Sequence, residues 1–272
     1  MSPVSRRRTP KSAPRGRRAP AGPRGARRTP ALDLLTRELT KLGTVTDAFV
    51  AEGVGTFLFD VLDERGPQPD DAFASFCREV LDDPRATRTS LGVQAVALVE
   101  ALGPAEVRGR AADVRASADV DVVASLPAWV DRLGAVHLVE GGALRTTDGR
   151  ESVLHLLLDY DDPSAGSRHL LTLAVEHGEE RVHLIDVRGR EPQDSLAPMA
   201  EKYAASVEPV WSWLEPAGIA PLVEPAVRAT ARRTAQEWPV QDIAGAPSVC
   251  WTLGVRRLEQ LTGLDLTTRE DA

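Results

Sequence analysis

At about residue 135 the spacing of apolar residues changes from helical to alternating, and this change constrains the fold more than any other feature of the chain. Runs at 136–145, 152–160, 168–176 and 181–187 carry the alternation expected of strands. They are separated by Asp148-Gly149, by Asp162-Pro163-Ser164-Ala165-Gly166 and by His177-Gly178-Glu179-Glu180. Each connection is too short for a parallel crossover, so the four strands form an antiparallel meander. In the second run Leu154, Leu156, Leu158 and Tyr160 alternate with Val153, His155, Leu157 and Asp159. Both sets are largely apolar, which places this strand in the middle of the sheet.

Helical periodicity dominates before the switch. Leu32, Leu35, Leu39 and Leu42 form one stripe, with Thr29 as cap, Pro30 at the first helical position and Gly43 as terminator. A second helix is predicted over 46–64, its buried face formed by Val50, Val54, Phe57, Leu58, Val61 and Leu62 and weakened by Gly53 and Gly55. Phe73, Phe76, Cys77, Val80 and Leu81 give the cleanest amphipathic pattern, over 69–82. Further helices are expected over 90–102, capped by Thr89 or Ser90 and halted by Gly103-Pro104, over 105–117, and briefly over 126–134. Residues 191–272 return to helix, broken by Pro209, Pro216, Pro221, Pro225, Pro239 and Pro247. The fold class is therefore α+β: a helical segment at 31–134, a four-stranded antiparallel meander at 135–190 and a proline-broken helical segment at 191–272. Residues 31–272 are long enough for one large domain or two small ones.

Charge divides the chain differently. The net charge is −7, yet residues 1–30 hold nine Arg, one Lys and no acid. Of the 33 cationic side chains, 23 remain in residues 31–272 to face all 40 acidic ones, a balance of −17. The preference for Arg over Lys and the abundance of Ala, Gly and Pro match a GC-rich coding sequence; the absence of acids before Asp33 is not accounted for that way. Six prolines and like-charge repulsion, with almost nothing apolar to bury, predict a disordered basic tail over 1–30. Ser5-Arg6-Arg7 opens like a twin-arginine signal, but no Leu, Ile, Val, Phe or Met follows between Thr9 and Pro30, so an export signal is not expected.

Three uses of such a tail are open: a solvated extension, an arm that binds RNA or DNA by counterion release, and an arm that folds back on the acidic body. The candidate polyanion-binding residues are Arg6, Arg7, Arg8, Arg15, Arg17, Arg18, Arg24, Arg27 and Arg28. Guanidinium groups suit phosphate through bidentate contacts. The tail lacks an aromatic stacking platform, so binding is expected to ignore sequence.

Little else in the sequence names a chemistry. All five histidines fall within 137–183, near LDYDDP at 158–163. However, His155 and Asp159 are about 13 Å apart along one strand face, and pairing Glu176 with Arg181 sets His183 opposite Ala174. Asp161 and Asp162 read as turn residues. No metal or other cofactor is therefore expected, and if the protein is an enzyme, Asp159, His155 and His183 are the acid or base candidates. Cys77 and Cys250 stand in no CxxC and read as reduced core residues. The GVG at 53–55 is too short for a dinucleotide loop, and GxSxG, Walker, HExxH and CxxC motifs are absent. No apolar run is long enough to span a membrane. Trp211-Ser212-Trp213 lies between prolines, where it can pack helices over the sheet or receive a protein partner. The expectation is a non-enzymatic, cytoplasmic binding or accessory protein with a nucleic-acid-contacting tail. The alternative is an enzyme or small-ligand binder using the sheet and the Trp-rich segment.

Overall fold

A computed structural model describes residues 30–41, 47–63, 69–160, 168–177, 181–189, 194–231 and 251–266. The tail arginines therefore lie outside the described residues, as do Asp161, Asp162, Cys250 and the last two of the three strand connections.

The first layer is helical: α1 (Ala31–Lys41), α2 (Ala48–Asp63), α3 (Pro69–Asp82), α4 (Ser90–Leu102), α5 (Ala105–Ala116), the five-residue α6 (Val120–Ala124) and a 3-10 turn at Ala128–Arg132. Its centre is α4, whose Val93, Ala95, Val96, Ala97, Leu98, Val99 and Leu102 are all buried. Thr89 caps α4 by accepting from the Gly92 N–H at 3.0 Å. α1 begins one residue later than expected, leaving Pro30 outside it, and Glu79 of α3 accepts the free N–H of Ala31 at 3.1 Å. Leu32, Leu35 and Leu39 are buried, as are Phe73, Phe76, Cys77, Val80 and Leu81 of α3. Burial also pushes the Cys77 thiol far above its ordinary range, so it behaves as an apolar side chain.

α2 keeps part of its expected face: Val54 and Leu58 pack against the helical core, while Val50 is exposed. The fully buried positions are Ala48, Ala51, Glu52, Gly55, Thr56 and Phe59. Close approach explains why small residues lie here: a Cβ on Gly55 would lie 2.9 Å from the Leu102 side chain of α4, so Gly55 marks the contact face rather than a weakness.

The sheet contains β1 (Val136–Arg145), β2 (Glu151–Tyr160), β3 (His169–Glu176), β4 (Arg181–Gly189) and, after α7 (Ala197–Tyr203), β5 (Val210–Trp213). All neighbours are antiparallel, in the order β4-β3-β2-β1-β5, with β2 central as its two apolar faces require. Gly149, at φ 68°, closes the β1–β2 turn. The four-stranded meander thus stands as expected. The fifth strand corrects the helical reading of 191–272: Pro209 and Pro216 disfavour helix at the residues just before them, while Val210 and the two tryptophans favour extended backbone, and β1 offers an open edge.

α8 (Pro216–Ala231) and α9 (Trp251–Thr262) follow. Pro221 and Pro225 do not break α8. Both are exposed, on the side opposite the buried Ile219, Val223, Ala226 and Val227, so the carbonyls they leave without N–H partners face water. Together α8 and α9 cover one sheet face: Leu154, Leu156, Leu158, Leu171, Leu173 and Val175 pack against Ile219, Val223, Val227, Val255 and Leu258. Leu253 of α9 belongs instead to the core of the helical layer, so this helix touches both. Among the described residues, no helix is long and apolar enough to cross a membrane.

Candidate functional site

The densest polar chemistry is buried where α2, α9 and the sheet meet. Glu52 and Arg257 are both fully buried and form an ion pair through Arg257 Nη2 and Glu52 Oε2. Tyr160 donates its hydroxyl to the same carboxylate oxygen and accepts from Arg257 Nη2 at 2.7 Å. The other carboxylate oxygen accepts the Gly134 N–H at 2.8 Å, and Arg257 Nη1 donates to Gln260 at 3.1 Å. Arg257 Nε donates to His169 Nε2 at 3.3 Å; because guanidinium only donates, Nε2 is the unprotonated ring nitrogen. Phe49 lies against the His169 ring, centroids 4.7 Å apart.

Burial pushes the Tyr160 hydroxyl well above the ordinary phenol range: Arg257 opposes the shift and Glu52 adds to it. Burial also works against the Arg257 charge, but Glu52 and Tyr160 outweigh it and hold the guanidinium protonated. A second buried set adjoins on α9, where Glu259 accepts from Arg256, from Arg108 at 3.1 Å and from the Leu266 N–H at 3.1 Å. These groups satisfy one another, fastening α2, α5 and α9 to the sheet.

The other sheet face holds the aromatic residues. Trp211 pairs with Leu144 and Trp213 with Gly142, so both rings stand on the face that carries His155. A Cβ on Gly142 would fall 2.2 Å from the Trp211 ring; its absence lets that ring lean across β1 to stack on His155 at 6.0 Å and 20°. Trp213 meets Trp211 edge-on at 5.5 Å and 88°, and His155 Nδ1 lies 3.2 Å from the Thr172 hydroxyl. Leu157, Leu170 and Leu196 form a small core here, with Val139, Met199 and Trp211 against it.

Two of the three acid or base candidates, Asp159 and His155, are engaged by different neighbours. Asp159 is held by Arg168 at 3.1 Å and by its own neighbour's Tyr160 N–H at 3.0 Å. His155 is enclosed by Thr172 and Trp211, and His183 pairs with Ala174 as the register implied. Among the described residues, no group of three or more His, Cys, Asp or Glu side chains is arranged to hold a metal ion. The Glu52–Tyr160–Arg257 network was missed from sequence, although Glu52 is the one charged residue between Ala48 and Phe59, an isolated charge on a contact face.

Burial lowers the His155 pKa, so the folded state binds that proton less readily than the unfolded chain. Its contribution to stability is present above the unfolded value of about 6.5 and is lost as pH falls through the lower folded value. The melting temperature of the wild type should therefore fall more steeply between about pH 7 and pH 5 than that of His155→Gln. Parallel profiles would show that the ring takes up its proton freely in the fold.

These features define an α+β protein with a five-stranded antiparallel sheet, helices over one face and an aromatic cluster on the other. Comparison of the chain with family models, with curated proteins and with solved structures finds no match.

Proposed function

We propose that this is a non-enzymatic, cytoplasmic binding or accessory protein whose N-terminal arginines contact polyanions, RNA or DNA above all. The observation that carries this reading is the charge asymmetry: ten cations without an acid in residues 1–30, set against −17 in the remainder. The packing of the body supports it. Its buried ionisable groups Glu52, Tyr160, Arg257, Arg256 and Glu259 hold one another, and Asp159 and His155 are committed to neighbours.

Counterion release makes such binding additive in charge and indifferent to base sequence. With on the order of five phosphate contacts, the log–log salt slope is about −3.5 on single strands and about −4.5 on duplex. Fluorescence anisotropy across a salt series measures it. Replacing the tail arginines by lysine should keep most of the affinity, since the charge count is unchanged. A slope near zero, or a strong preference for one base sequence, would contradict the proposal.

A further inference from the structure

We infer that, when no polyanion is bound, the Arg15-Gly16-Arg17-Arg18 stretch of the tail docks on this chain's own acidic tryptophan edge, at β5 and its flanks. The inference goes beyond the polyanion reading by naming what the tail occupies otherwise. β5 is the outermost strand of the sheet, and it carries the largest exposed aromatic group described: Trp213 is 54% exposed, and Val207, just before the strand, is 87% exposed. Trp211, standing edge-on, fixes the Trp213 ring in place. A fixed, half-exposed indole suits two partners above all, a guanidinium on its face and a proline ring.

The segments that flank β5 in sequence are acidic. Between Asp194 and Glu215 the chain carries Asp194, Glu201, Glu208 and Glu215 against a single Lys202. Glu201, Glu208 and Glu215 are exposed, and the Asp194 side chain is almost wholly so, at the edge of reach of Arg168. Glu208 and Glu215 bracket β5, and Arg145, opposite Val210, is the one cation paired along the strand. The segment RGRRAPAGPRGARR is the complement: six arginines and two prolines, with no acid and no aromatic of its own.

Reach is sufficient. The described chain begins at Pro30, and Arg15 to Arg18 lie 12 to 15 residues before it, a span of up to about 37–46 Å at ~3.1 Å per residue. A compact body of this length is only about 45 Å across, from the usual scaling of radius of gyration. The Arg15–Arg18 stretch therefore has a span comparable with the width of the body, and docking would compete directly with phosphate for the same guanidinium groups.

The test uses full chains carrying 5-fluorotryptophan, with the Trp213 fluorine resonance assigned through Trp213→Phe. Wild type is compared with a chain in which Arg15, Arg17, Arg18, Arg24, Arg27 and Arg28 are replaced by Gln. At about 50 mM salt the Trp213 resonance should differ between the two, and the difference should vanish near 0.5 M, where charges are screened within a few ångströms. Adding a 20-nucleotide oligo(dT) to wild type should move the resonance to the position of the Gln chain. A double Glu208→Gln, Glu215→Gln chain should bind that oligonucleotide about 3–10-fold more tightly, because its tail is released. Coincident Trp213 resonances in the two chains would overturn the docking, even if wild type still binds the oligonucleotide. Separate resonances without oligonucleotide binding would support docking and defeat the polyanion reading instead. A difference that disappears on dilution would place the tail on a second copy and contradict an intramolecular contact.

Discussion

Arg257→Met is expected to destabilise the protein by about 3–5 kcal/mol, because it strands the Glu52 carboxylate in the interior with only Tyr160 and a backbone N–H to hold it. In a chain of this size that lowers the melting temperature by roughly 6–20 °C. Glu52→Gln should cost a similar amount for the mirror reason, since Arg257 is then buried without its counter-charge. Tyr160→Phe removes one neutral donor and should cost about 1–2 kcal/mol. The informative chain is the double Glu52→Leu, Arg257→Met. A buried pair is weakly stabilising relative to apolar groups of similar volume, so the double replacement should recover much of what either single one loses. Urea denaturation of wild type, Arg257→Met, Glu52→Leu and the double chain measures this cycle. Two mild, additive single effects would mean that water reaches the pair.

Leu156→Asp is expected to be more damaging still. Leu156 lies fully buried on the central strand, among Leu154, Leu158 and Leu171 and beneath α8 and α9. A carboxylate there has no partner, and the strand cannot expel it without losing the face that α8 and α9 cover. The cost should reach several kcal/mol and leave little folded protein at 37 °C. Leu156→Ala gives the graded counterpart, about 2–5 kcal/mol from lost contacts and a residual cavity. An aspartate chain melting within a few degrees of wild type would show that this face is not the core.

Those two sites differ in how far the sequence announces them. Leu156 is legible because alternation and turn chemistry are local: Asp148-Gly149 and the period-2 runs set the four strands and their register, including His183 opposite Ala174. The helices α1, α3 and α4 were legible for the same reason, their stripes and caps lying within a dozen residues. What escaped depended on distant partners. The face of α2 is set by how closely α4 approaches Gly55, so apolar size pointed to Val50 while packing chose Ala51 and Glu52. β5 is a strand because β1 had an open edge, and α8 continues through Pro221 and Pro225 because its other side is buried. The Glu52–Arg257 pair spans 205 residues of sequence. Of the candidate site, Trp211 and Trp213 were noticed as a pair but not as neighbours of His155, since the register of β5 was not readable.

The proposed division of labour, binding in the tail and structural duty for the ionisable groups of the body, makes opposite demands on two parts of the chain. It is tested most directly by the dissociation constant for a 20-nucleotide single strand at about 50 mM salt, where unscreened charge dominates. The full chain, a chain beginning at Thr29 and full-length His155→Gln are compared. The account predicts that binding is abolished from Thr29 onward, because the remaining body at −17 repels the ligand, and that His155→Gln binds as wild type does. Equal affinity of the full and shortened chains, or loss of binding in His155→Gln alone, would move the site to the sheet and contradict it.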